Sequence, residues 1–220
     1  MLVQIYEIGT PDEGRAVAAL GVDHVGVLVG DGAFPRERSP AAARAIFAVL
    51  PGGTKRVALS LSADPDEIAR VIEATAPDIV HVGAAAERFG PAQSREIKRR
   101  YPGLRLMRSI PVTDESSIAF AKAHEGIVDF LLLDSHAPGD AQIGALGRTH
   151  DWRISRRIVE TVAVPAILAG GLGPDNVEDA IRAVAPAGVD SKTKTDRAGS
   201  HAKDLAKVRA FVEAAKAPDR

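Results

Sequence analysis

The stretch Pro165-Ala166-Ile167-Leu168-Ala169-Gly170-Gly171-Leu172-Gly173-Pro174-Asp175-Asn176-Val177 holds the unit from which the fold is read. Pro165–Leu168 is a short apolar run that predicts a buried strand. Glycines follow as a loop, and Gly173-Pro174-Asp175-Asn176 predicts a helix start with Pro and acid in its first turn. The same start recurs at Thr10-Pro11-Asp12-Glu13, Ser39-Pro40 and Asp64-Pro65-Asp66-Glu67. Working outward, the other strand candidates are Leu2–Ile8, Asp23–Val29, Arg56–Leu61, Asp78–Val82, Leu104–Ile110, Val128–Leu133 and Ala187–Asp190. Most are nearly continuous apolar runs, as parallel strands buried on both faces require. Each precedes a helix-like segment, and strict alternation means a parallel sheet with right-handed crossovers. The first turn, Ile8-Gly9-Thr10-Pro11, lacks the Gly-rich fingerprint of an open doubly wound sheet. Eight strand–helix units in 220 residues predict an α/β chain folded as one (β/α)8 TIM barrel, with residues 1–220 as a single domain.

The charge balance of 28 basic and 29 acidic residues creates no field that would steer the chain toward nucleic acid or an anionic membrane. An acidic substrate must therefore be held by a local site. The absence of Cys removes disulfides, thiolate metal sites and a thiol base. Met1–Glu13 has no basic, apolar leader pattern, and no run reaches the roughly 18 apolar residues of a membrane span. A soluble cytoplasmic protein without cofactor or metal is expected. The chain leaves open whether it is a monomer or a homodimer.

In such a barrel the active site lies in the loops after the strands. Gly170 and Gly171 can bring backbone amides close to an anion, and loops after the last two strands commonly hold phosphate. A tight left-handed turn would need the same glycines for steric reasons alone. Leu131-Leu132-Leu133-Asp134-Ser135 puts a carboxyl at the end of an apolar run, either as a loop cap or as an acid–base group with a raised pKa. The long loop from His136 to Asp151 reads as a lid or ligand wall. The charged run Arg95–Arg100 reads as a solvated helix face.

Taken together, these motifs resemble phosphoribosylanthranilate isomerase across nearly the whole chain. Pro165–Val177 is similar to the family's P-x-x-L-A-G-G-L-x-P-x-N-V, and Leu131–Ser135 to its L-L-L-D. Gly144-x-x-Gly147 with Asp151-Trp152, Pro35-Arg36 before Ser39-Pro40, and Gly188-Val189-Asp190 match further family stretches. The resemblance implies an isomerase, an intramolecular oxidoreductase of tryptophan biosynthesis that carries out an Amadori rearrangement of a phosphoribosyl amine. It puts the general acid at Asp134 and the carboxylate-binding Arg at Arg36. The phosphate would lie on the amides of Gly170 and Gly171 and on the loop of Ser191, Lys192 and Lys194.

Three stretches depart from the family pattern. The family's base is a Cys in K-x-C-G; here the stretch is Gln4-Ile5-Tyr6-Glu7, with Tyr6 at the Cys position. A phenol with a pKa near 10 is a poor base at neutral pH unless that value falls. Tyr6 is either an altered catalytic residue or a space-filling aromatic. Glu7 could replace the base, but strand alternation sends it to the helix side if Tyr6 faces the mouth, unless the strand has already ended. His81 stands where the family has Gln, as a relocated polar group or a satisfied core His. In Asp190-Ser191-Lys192-Thr193-Lys194-Thr195-Asp196 lysines replace small residues and are either exposed loop lysines, point charges that bind phosphate or, for one of them, a Schiff-base former. The candidate site is thus Asp134, Tyr6, Arg36, Gly170, Gly171, Ser191, Lys192 and Lys194, with Glu7, His81 and Asp190 as further pocket residues. The expected ligand is a phosphorylated sugar or carbonyl compound. The alternatives are a paralogue with a different phosphorylated substrate and a non-catalytic barrel that binds a phosphorylated metabolite.

Overall fold

The computed structural model describes residues 1–136 and 149–217. Its eight strands are β1 (Leu2–Ile5), β2 (His24–Leu28), β3 (Lys55–Ser60), β4 (Ile79–Val82), β5 (Arg105–Pro111), β6 (Phe130–Asp134), β7 (Ala166–Leu168) and β8 (Gly188–Ser191). They pair in sequence order, all parallel, and β8 returns to β1 in a register running from Leu2↔Gly188 to Ile5↔Ser191. Helices follow each strand: α1 (Pro11–Ala18), α2 (Pro40–Ala48), α3 (Pro65–Thr75), α4 (Pro91–Arg100), α5 (Ser116–Lys122), α6 (Trp152–Thr161), α7 (Val177–Val184) and α8 (Leu205–Lys216). The (β/α)8 barrel expected from the alternation is what forms. None of the described helices is long and apolar enough to cross a membrane.

The helix starts follow from their caps. Thr10 accepts from the Glu13 amide, Ser39 from Ala42 and Asp64 from Asp66, each just before a Pro at the first helical position. The start predicted at Gly173-Pro174 is different. Helix α7 begins at Val177, because Asn176 spends its side chain on the preceding loop: Oδ1 accepts the Gly173 amide at 2.9 Å, and Nδ2 donates to the Gly171 carbonyl at 3.1 Å. That loop is thereby braced before the helix starts.

Alternation sorts the strand side chains into two buried sets. Val3, Ile5, Val25, Val27, Leu131 and Leu133 pack outward against the helices. Tyr6, Val57, Ile79, Met107, Leu132, Ile167 and Ala169 fill the barrel interior. Gly26 is needed there for space, since a Cβ on it would lie 2.1 Å from the Tyr6 ring. Strand β1 ends three residues earlier than its sequence predicts. The Tyr6 and Ile8 amides still bond to the Ser191 and Gly26 carbonyls, but between them Glu7 has φ +62° and breaks the extended run.

Candidate active site

A cavity of about 260 Å³ opens at the carboxyl ends of the strands. Its wall repeats the period of two: Leu59 with Leu61, Leu132 with Asp134, and Asp190 with Lys192 all line it. Leu28 and Pro35 add apolar surface, while Glu7 and Arg36 enter from the loops after β1 and β2.

The floor is a chain of satisfied polar groups. The Tyr6 hydroxyl lies 2.6 Å from His81 Nδ1, and His81 Nε2 lies 2.7 Å from Ser109 Oγ. Burial pulls the His81 pKa down to about 3, so its ring is neutral. A proton on Nε2 lets Tyr6 donate to Nδ1 while the ring donates to Ser109. Burial, helped by the charge of Asp190, holds the Tyr6 phenol well above its usual value. The phenol therefore stays protonated. Tyr6 fills the barrel and donates a hydrogen bond, and nothing in its surroundings makes it a base. His81 is a satisfied core histidine whose ring also touches the cavity. A second chain lies deeper. His24 donates to Gln4 Oε1 at 3.0 Å, its ring neutral because burial lowers its pKa to about 4, and Gln4 donates to Asp190 Oδ1 at 3.3 Å.

Two carboxyls face this floor. Burial raises Asp134 to about 7, opposed by the Ser135 amide and hydroxyl that both donate to its Oδ1. Asp190 is held well above the carboxylate range by burial, then by the charge of Asp134, with Gln4 and Lys203 working against the rise. Like charges this near do not both ionise easily.

The rim is where the alternation expectation fails. Glu7 points into the cavity together with Tyr6, because the left-handed turn at Glu7 rotates its side chain back inward. Arg36 Nη2 donates to Glu7 Oε1 at 3.0 Å, and its Nε stands 2.8 Å from Oε2. Lys192 Nζ lies 3.4 Å from Glu7 Oε2 and 2.9 Å from Asp196 Oδ2. Arg36, expected to be open for a ligand carboxylate, is engaged by Glu7. Lys192, expected as a loop cation, is 11% exposed and held by two carboxylates. Exposed His201 accepts from both cations through Nδ1.

A smaller recess of about 30 Å³ shares Asp134, Asp190 and Lys192 with this cavity and is bounded by Gly170, Gly171, Ser191 and Lys194. Gly170 and Gly171 have φ of +84° and +65°, a conformation that side chains with a Cβ resist. The Ser191 hydroxyl donates to the Leu172 carbonyl, so it braces the loop after β8 against the loop after β7. Lys194 stands on the exposed side of this recess.

Residues 34–214 match the family described as N-(5'-phosphoribosyl)anthranilate (PRA) isomerase. The N-(5'-phosphoribosyl)anthranilate isomerase of Methanocella arvoryzae is 36% identical to this chain over 211 residues, with 96% of each covered. The chain belongs to the phosphoribosylanthranilate isomerase family. Its relative from Haloferax volcanii is 34% identical, with 98% of this chain and 94% of the relative covered. Among solved structures, phosphoribosyl anthranilate isomerase from Thermotoga maritima superposes with a TM-score of 0.80 at 26% identity, covering 98% of both chains. That from Thermococcus kodakaraensis gives 0.78 at 28% identity, covering 99% of both.

Within this family fold the structure brings Asp134, Asp190, Tyr6, Glu7, Arg36, His81 and Lys192 to one cavity and Gly170, Gly171, Ser191 and Lys194 to the adjoining recess. Gly144, Gly147 and most of the expected lid lie outside the described residues. Sequence reading missed Ser109, Gln4, Asp196 and Lys203. Counting by twos along β5 from Met107 would have found Ser109. Lys203, fully buried between Asp196 Oδ1 at 2.6 Å and the Lys192 carbonyl at 3.1 Å, gave no signal in a polar loop.

Proposed function

We propose that this chain isomerises N-(5'-phosphoribosyl)anthranilate, or a closely similar phosphoribosyl arylamine, to the 1-amino-1-deoxyketose. The observation that carries this reading is Asp134, a buried carboxyl with a pKa of about 7 between an apolar cavity and a glycine-lined recess. A carboxyl in that range holds a proton at neutral pH and can give it up, as a general acid must. The phosphate occupies the recess on the Gly170 and Gly171 amides, with Lys192 and Lys194 as nearby cations. The ribose then spans Asp134 and Asp190, and the aromatic ring lies among Leu28, Pro35, Leu59 and Leu61, within reach of Arg36. Asp134 protonates the furanose oxygen as the arylamine nitrogen forms a C1–N double bond and the C1–O bond breaks. A base then takes the C2 proton, the C1–C2 enamine forms, and return of a proton to C1 leaves the ketone at C2. No external oxidant is needed, because C2 is oxidised as C1 is reduced.

A second reading, a different phosphorylated amine as substrate, is favoured by the Glu7–Arg36 pair that occupies the expected carboxylate site. Turnover followed by loss of the fluorescence of N-(5'-phosphoribosyl)anthranilate, with growth rescue of a tryptophan auxotroph lacking the isomerase, separates the two. Rescue is expected. Binding of a phosphorylated product analogue without turnover would favour the second reading. Gly171→Val should raise the Kd of such an analogue by about tenfold or more, equivalent to ~1.4 kcal/mol, because a side chain resists φ +65° and crowds the recess. Isothermal titration would check this, and unchanged affinity would remove the recess from the phosphate's path.

A further inference from the structure

We infer that Glu7 is the general base that takes the C2 proton, replacing the thiol that this Cys-free chain lacks. This rests on the function proposed above. Geometry carries it first. The Glu7 carboxylate lines the same cavity as Asp134, yet it stands on the seam between β1 and β8, while Asp134 ends β6. A substrate lying between them would meet an acid on one side and a base on the other.

Backbone strain points the same way. Among the described residues four non-glycines have positive φ. Ala76 and Ala185 are helix C-caps, an ordinary use of that conformation. The other two are Glu7 at +62° and Arg36 at +72°, and they pair with each other in the cavity. Strain of this kind persists where surrounding structure enforces it, and it gathers at functional sites. Here it aims a carboxylate that period-two geometry would send to the helices. Arg36 and Lys192 fix its orientation.

Elimination completes the argument. Tyr6 keeps its proton and both His81 nitrogens are engaged. Burial favours the protonated form of both Asp134 and Asp190. Of the acidic and imidazole groups on this cavity, Glu7 is the one held at the wall by two cations, Arg36 and Lys192. In the step assigned to it, the C2–H bond breaks, the proton goes to a Glu7 oxygen, and the electron pair forms the C1–C2 double bond while the C1–N pair returns to nitrogen.

The test compares Glu7→Gln, Glu7→Gly and Glu7→Asp with the parent protein. Gln and Gly should lower kcat by ~10²–10⁴-fold, and Asp should retain part of the rate. Exchange of the product's C1 hydrogens and the substrate's C2 hydrogen with solvent deuterium should disappear in Glu7→Gln, while inorganic phosphate should still bind the recess at least as tightly as in the parent, because Lys192 loses one of its two carboxylate partners. Glu7→Gly guards against misfolding, since Gly adopts φ +62° freely. Turnover in Glu7→Gln or Glu7→Gly within a few-fold of the parent would overturn the inference and leave the proposed function standing. No turnover in the parent with any phosphoribosyl arylamine would overturn both.

Discussion

Asp134→Asn is expected to slow turnover by ~10²–10⁴-fold and, at pH 8, to make the protein harder to unfold. The first effect follows from loss of the carboxyl proton, which an Asn amide cannot deliver as an acid. The second follows from linkage. The folded-state pKa of Asp134 is about 7, against a reference near 3.9 for an unfolded Asp. Between those values the native state keeps a proton that the unfolded chain has released. Raising the pH through that window therefore removes stability, and above about 7 the loss is complete. A gap of roughly three pKa units corresponds to at most about 4 kcal/mol, less where water reaches the ionised group. Asn carries no charge and can keep the Ser135 hydrogen bonds at Oδ1, so its gain should be roughly 2–4 kcal/mol at pH 8 and near zero at pH 3. Urea unfolding at both pH values measures it. Equal stability of the two proteins at pH 8 would show that Asp134 ionises without penalty and cannot be a neutral-pH acid. In the parent, kcat/KM should fall as pH rises through about 7.

Lys203→Met should be the most damaging single change away from the cavity, at about 3–5 kcal/mol. Lys203 is fully buried, and its ammonium bonds to Asp196 Oδ1 and the Lys192 carbonyl. Burial pulls its pKa down and the Asp196 bond opposes that. Removing the lysine leaves one oxygen of a buried carboxylate without its partner, while the Lys192 carbonyl keeps the Thr195 amide and hydroxyl. For a chain of this size each kcal/mol shifts Tm by ~2–4 °C, so a loss of about 6–20 °C is expected by calorimetry. The double change Lys203→Met with Asp196→Leu should recover much of it, since replacing both ions removes the unmatched charge. A loss below about 1 kcal/mol for the single change would show the pair to be as weak as a surface ion pair.

The barrel was legible because apolar runs, Pro-containing caps and glycine loops all point to one architecture. Those signals are local, and the strands start and stop within a few residues of them. The recess was legible for the same reason, since paired glycines at a strand end mark a left-handed turn whose backbone no side chain covers. The rim was not. Reading Glu7 by twos assumes an extended backbone, and a Glu at φ +62° carries no mark in sequence that a Gly would carry. The partners of Lys192 are set by tertiary approach of Glu7 and Asp196, and a loop lysine looks solvated until that approach is known. Lys203 was hidden by the same assumption. Asn176 was placed one turn too far into its helix because its side chain serves the loop before it.

Strand β8 meets β1 at the seam where Glu13, in the first turn of α1, accepts both the Gly9 amide at 2.7 Å and the Lys203 amide at 2.5 Å. These partners are as much as 190 positions apart along the chain. Contacts between neighbouring units can form early in folding, but this one requires the ring to have come full circle. Glu7, Tyr6, Arg36 and His81 come from the first four units, and Asp134, Gly170, Asp190 and Lys192 from the last four. Neither half of the chain alone holds both the proposed acid, Asp134, and the proposed base, Glu7, so the proposed rearrangement needs the two halves of the ring docked.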